Sequence, residues 1–140
     1  DSGSQVEMSS APAGWAFHQA NDATNAEFVR DEGAVLVLFW LQDEPDQTPG
    51  TATQDIIDMI AAAKSSCGGM DCVVGGGYVD EGCLDQVPLG TLFGSFGADP
   101  IVETLPPENS LTPDSFTPVL RDTLAQVIAQ KCDEIPPPQG

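Results

Sequence analysis

The chain has 140 residues, 22 of them acidic and 4 basic, giving a formal net charge of −18. That length holds one domain with a real core and not two, and a hydrophobic content of 41% excludes a disordered acidic tail. The charge argues against nucleic acid or an anionic membrane as partner, because neutralising phosphates needs clustered Lys and Arg; it favours a solvated acidic surface or the capture of cations or basic partners.

No run approaches the roughly 18 apolar residues needed to span a bilayer. The start, "DSGSQVEMSS", has no Met and no basic region leading into an apolar one, so the chain is expected to be a mature, processed or excised segment. Cys67, Cys72, Cys83 and Cys132 fit an exported protein with up to two disulfides, and all three pairings stay open. The spacing in "CGGMDC" is too wide for a redox C-x-x-C pair. With His18 as the only histidine, disulfides or buried thiols are favoured over zinc.

Residues 1–12 are small and polar and read as an irregular arm before a domain spanning 13–132. "AGWAFHQAND" suits a short helix burying Trp15 and Phe17, or Ala16 and Ala20. Gly33 ends the connection that follows. Ala34 to Leu41 is apolar without alternation, the pattern of a strand buried on both faces in a parallel sheet. "DEPDQTPGT" is a loop broken by Pro45, Pro49 and Gly50. Thr51 and Gln54 have the spacing of a capping box, Ile56, Ile57, Ile60 and Ala63 recur at helical spacing, and Gly68 and Gly69 stop that helix. "DCVVGGGYV" reads as a second strand with a glycine-rich exit, and "PLGTLFGSFG" as a weak helix or a set of turns. "PIVETL" is a third, shorter strand placed at an edge by Pro100. The clearest helix follows: Thr112 caps it, Pro113 takes the first position, and Phe116, Val119, Leu120, Leu124, Val127 and Ile128 form its apolar stripe. Pro118 falls within its first two turns. "DEIPPPQG", 133–140, is a Pro-rich tail. Strands alternating with helices predict an α/β fold, a three-layer sandwich around a mainly parallel sheet.

Ligands in open α/β sheets gather at the carboxyl ends of strands, where Asp43 falls. Asp43, Glu44, Asp46, Thr48 and Thr51 offer the oxygen chemistry that Mg²⁺ or Ca²⁺ requires; Asp80, Glu81 and Asp85 could join a cation site at the same sheet edge but read better as a solvated loop. The loop is not an EF-hand, since that motif's Gly and terminal Glu are missing. "GGGYVDEG" is neither a dinucleotide fingerprint nor a P-loop. His18 has no nucleophile motif beside it and reads as a helix-surface residue. Trp15, Phe39 and Trp40 read as core or interface.

Residues 25–49, "NAEFVRDEGAVLVLFWLQDEPDQTP", resemble the von Willebrand factor A-type domains of exported bacterial proteins. Asn25, Phe28, Val29, Arg30, Asp43, Glu44, Asp46 and Thr48 carry the likeness, and the order of later elements extends it over roughly 10–132. The resemblance implies a Rossmann-like sandwich that acts in adhesion or protein–protein recognition through a metal-ion-dependent site. Asp43 matches that site's aspartate after the central strand, and Ser9 or Ser10 falls in the region of its threonine. The site's first element, Asp-x-Ser-x-Ser after an apolar strand, has no counterpart: Asp1-Ser2-Gly3-Ser4 has the wrong spacing and no strand before it. The chain therefore corresponds to the second half of such a domain, and its metal site is expected to be incomplete. The expectation is a non-enzymatic structural or interaction subunit of an exported (periplasmic or extracellular) assembly. Another chain would supply neighbouring strands, and Asp43, Glu44, Asp46 and Ser10 are the candidate ligands for Mg²⁺ or Ca²⁺. An acidic Ca²⁺- or Mg²⁺-binding module is the alternative, and a metal-dependent hydrolase using the Asp43, Glu44 and Asp46 cluster is third.

Overall fold

A computed structural model of the chain describes residues 8–18, 25, 28–31, 33–80, 82–97, 100–104 and 112–132. The expected tail at 133–140, Ala20, Glu81 and residues 1–7 of the expected arm lie outside them. Helix α1 (Ser10–Trp15) is followed by strand β1 (Leu36–Gln42), helix α2 (Thr53–Ala63), strand β2 (Val73–Val79), helix α3 (Val87–Gly94), strand β3 (Ile101–Thr104) and helix α4 (Pro113–Cys132). The three strands pair in parallel in the order β1-β2-β3, with Leu36 opposite Val73, Gln42 opposite Val79, and Gly76 opposite Ile101. The α/β class and the parallel sheet are as expected, and among the described residues β3 lies at an edge.

The order within the sheet differs from the expectation in one respect that matters. Ala34 to Leu41 was expected to supply the central strand, buried on both faces; among the described residues β1 pairs with β2 alone and lies at a margin. The centre is β2, all seven of whose residues are buried. Its glycines are not an exit but the strand interior, and they are required by close approach. A Cβ on Gly75 would fall within the Phe96 ring, and one on Gly77 would strike the Trp40 backbone. Small residues at the centre let neighbouring layers and strands come closer than any side chain would allow.

Alternation divides β1 between two environments. Trp40 is buried, and Leu36 and Leu38 pack on the same cluster, which joins Ile56, Ile57 and Ile60 of α2 with Leu89, Leu92 and Phe93 of α3. Trp40 meets Phe93 edge-on at 4.8 Å between ring centroids. Right-handed crossovers between consecutive parallel strands place both connecting helices on one face, and α2 and α3 do touch. Helix α4 lies along β2 and β3. The residues of β1 that alternate with the core set are less well covered: Val37 and Phe39 are half-buried and Leu41 is 59% exposed.

Several local expectations are corrected. Helix α1 begins at Ser10, inside the segment expected to be an irregular arm. It packs on α2 so closely that a Cβ at Gly14 would press on Ile56 and Met59. Trp15, expected in the core or at an interface, is 58% exposed and stacks on His18, while Phe17 packs on the core. The capping box does not form. A single 3₁₀ turn, Gly50–Ala52, precedes α2, no side chain caps either element, and Gln54 Nε2 donates instead to Asp58 Oδ1 at 2.8 Å. In α4, Leu124 is half-buried and Ile128 exposed; the side chains of Phe116, Val119, Leu120 and Val127 lie outside the description.

Candidate functional site

The carboxyl end of β1 is organised around the amino end of α1. The first backbone N–H groups of a helix lack partners within it and attract a carboxylate. Here the partner comes from far along the chain. Asp46 Oδ1 accepts from Ser9 N at 3.1 Å and Thr48 N at 3.0 Å, and Oδ2 accepts from Ser10 N at 3.2 Å and from the Ser10 hydroxyl. Thr48 Oγ1 accepts from Ala11 N at 3.2 Å. Gln42 completes the knot, donating through Nε2 to Glu44 O at 2.7 Å and accepting from the Ser9 hydroxyl. Asp46 is only 3% exposed. Burial alone would raise its pKa, but the hydrogen bonds from Ser10 and Thr48 outweigh that and hold the carboxyl below its ordinary range. Asp46 is thus a buried anion fully occupied by donors.

The four candidate ligands therefore fall into two groups. Ser10 and Asp46 meet, in a hydrogen-bonded knot. Asp43 and Glu44 are exposed on the outside of the same loop. Asp80, at the end of β2, lies beside Asp43: its backbone N–H donates to Gln42 O at 2.9 Å, and both carboxylates act on Cys83. Burial first, then the negative charge of Asp80 and of Asp43, push the Cys83 thiol pKa up. Asp85 is exposed a few residues on. Among the described residues no three of His, Cys, Asp and Glu converge to hold a metal ion.

Of the cysteines, Cys67 and Cys72 form a disulfide, with Cα atoms 5.9 Å apart, and Cys83 is a buried free thiol. The side chain of Cys132 lies outside the description. The disulfide closes the turn in which Gly68 and Gly69 take positive φ values of 123° and 66° between α2 and β2, a conformation open to glycine and strained for other residues.

One buried group escaped the sequence reading. Lys64, the residue after α2, is 1% exposed. Its ammonium donates to Arg30 O and to Asp31 O, the latter at 3.0 Å, while Asp31 accepts from Ser66 N at 2.9 Å and from the Ser66 hydroxyl. Burial, then the nearby Arg30 charge, lower the Lys64 pKa against the opposing pull of Asp31. A signal was available: Lys64 follows Ile56 and Ile60 at four-residue spacing, on the apolar stripe of α2.

Comparisons of the chain with protein-family models, curated proteins and solved structures return no match. No helix among the described residues is long and apolar enough to cross a membrane.

Proposed function

We propose that the chain is a non-enzymatic structural or recognition subunit of an exported assembly, and that another protein chain completes its sheet at β1. The observation that carries this reading is the mismatch between the composition of β1 and its position. Seven residues, LVLFWLQ, form a sheet margin that pairs on one side only among the described residues. Edge strands of isolated proteins are ordinarily blunted by charge, Pro, bulges or shortness. β1 carries no charged residue or proline and is as long as β2. Leu41 adds an exposed apolar side chain beside the open margin. A strand added here would satisfy the unpaired backbone groups and cover that side chain together.

The likeness of residues 25–49 to von Willebrand factor A-type domains supports the same reading. In a whole domain of that kind the strand ending in Asp43 is central, with neighbours on both sides, and the three-layer sandwich would be complete. The Cys67–Cys72 disulfide is in keeping with an oxidising, extracytoplasmic location.

Size-exclusion chromatography with light scattering tests the proposal on the chain alone. Self-association or an unstable, partly folded species is expected, and Leu41→Lys should reduce the association. A stable, well-folded monomer at micromolar concentration would sink the idea.

A second reading rests on the adjacency of Asp43 and Asp80: a hard divalent cation, Mg²⁺ or Ca²⁺, held at the carboxyl edge with water completing its shell. Calorimetric titration with each ion, repeated on Asp43→Ala, checks it, and absence of heat in the parent chain removes it.

A further inference from the structure

Two basic residues, Arg30 and Lys64, lie beside the amino end of β1. A hollow of about 110 Å³ opens there, lined by Phe28, Val29, Arg30, Val35, Leu36 and Lys64. Arg30 and Lys64 are two of the four basic residues in a chain of net charge −18. Among the described residues neither forms an ion pair. An ammonium has three N–H donors. Arg30 O and Asp31 O take two of those on Lys64, and among the described residues nothing takes the third. Asp31, the acid among the described residues whose charge acts on Lys64, has both carboxylate oxygens engaged by Ser66. Asp31 offsets part of the Lys64 charge, and the basic groups that line the hollow itself are Arg30 and Lys64. Phe28, Val29, Val35 and Leu36 also line it, with Phe28 83% exposed. The volume is well below the roughly 300 Å³ or more of a drug-sized site, and suits one short branched side chain with a charged head.

We propose that this hollow binds a carboxylate borne on a short aliphatic group. Lys64 and Arg30 take the carboxylate, and Val29, Val35, Leu36 and Phe28 enclose the aliphatic part. Two sources present this chemistry: a free branched-chain acid, and the C-terminal Val or Leu of a protein chain.

The test is an amide chemical-shift titration of the full chain with three probes: isovalerate, acetyl-Gly-Gly-Leu with a free carboxylate, and the same peptide as its C-terminal amide. At least one free carboxylate should shift the Arg30, Ala34 and Val35 resonances saturably, with the amide peptide about tenfold or more weaker, the scale of one lost charge-assisted hydrogen bond. Arg30→Gln, at an exposed position that leaves the fold intact, should weaken the carboxylate about tenfold. Lys64→Met, if it folds, should abolish binding. Isovalerate matching the acid peptide identifies a free acid as the ligand; a peptide at least tenfold tighter identifies a chain terminus. No saturation by either carboxylate in the millimolar range, equal binding of acid and amide peptides, or unchanged affinity in Arg30→Gln overturns the proposal.

Discussion

Replacing Asp46 by Asn tests whether the knot at the amino end of α1 depends on a buried charge. The substitution preserves size. Oriented to keep Oδ1 as an acceptor, the new amide retains the bonds from Ser9 N and Thr48 N but turns its NH₂ toward Ser10 N, which held Oδ2 at 3.2 Å. The Ser10 hydroxyl can rotate to accept; the Ser10 backbone N–H cannot. One orphaned buried donor costs about 1–3 kcal/mol, and the surviving bonds lose the roughly twofold strengthening that ionisation gives. Together these predict a loss on the order of 3 kcal/mol, or about 10 °C in Tm for a domain of this size. The pH dependence supplies a second, independent readout. The pKa of Asp46 is depressed below its ordinary 3.8 in the folded chain. The native state therefore binds fewer protons than the unfolded state around that pH, and the charge stabilises above it. That contribution fades as pH falls through the folded-state value, so the gap between parent and Asp46→Asn should narrow below pH 3.8. Urea unfolding of both proteins from pH 7 to pH 2.5 measures it. A loss under about 1 kcal/mol at pH 7, or a gap that stays constant to pH 2.5, would refute the reasoning.

Two further outcomes follow from the packing. Gly75→Ala should destabilise by about 2 kcal/mol or more by overpacking, because Phe96, whose ring lies against Gly75, is hemmed in by Phe93 and Trp40 at 5.4 and 6.0 Å between centroids; a thermal melt that matches the parent would contradict so close an approach of Phe96 to the strand. Cys83 should resist iodoacetamide at pH 8 in the native chain and react on unfolding, because it is 3% exposed and burial with Asp80 and Asp43 keeps it a thiol; peptide mapping that finds it alkylated as fast in folded as in unfolded protein would show that the site is open.

The sequence was most legible where burial and local pattern agree. The Ile56, Ile57 and Ile60 spacing marks α2, and Pro113 marks the start of α4. It was least legible where a distant group overrides a local signal. Thr51 and Gln54 spell a capping box, yet a 3₁₀ turn occupies that position and Gln54 reaches forward to Asp58. Serines at 9 and 10 spell a flexible arm, yet Asp46, more than thirty residues away, supplies the acceptors that let a helix start there. The metal reading met the same limit. Asp43, Glu44 and Asp46 are near neighbours in sequence, but the fold turns Asp46 inward onto Ser10 and leaves the other two in solvent. No spacing rule distinguishes an inward carboxylate from an outward one in a loop; the partner that decides it comes from another part of the chain.

The same distinction between composition and position bears on β1. Its residues call for neighbours on both faces, and a parallel sheet strand of that composition is ordinarily interior. β2 takes the interior place among the described residues, and its glycines admit the Phe96 ring at Gly75 and the backbone of Trp40 in β1 at Gly77. Among the described residues β1 lies at the margin although it carries no charged residue or proline. A margin strand selected for solvent would carry Lys or Pro on its outer positions; β1 instead carries Val37 and Phe39, half-buried, and Leu41, exposed. On the proposed reading, the exposed Leu41 end of the strand is where a neighbour would be added. It is why Leu41→Lys, which leaves the core face of Leu36, Leu38 and Trp40 untouched, separates an interaction surface from a merely imperfect edge.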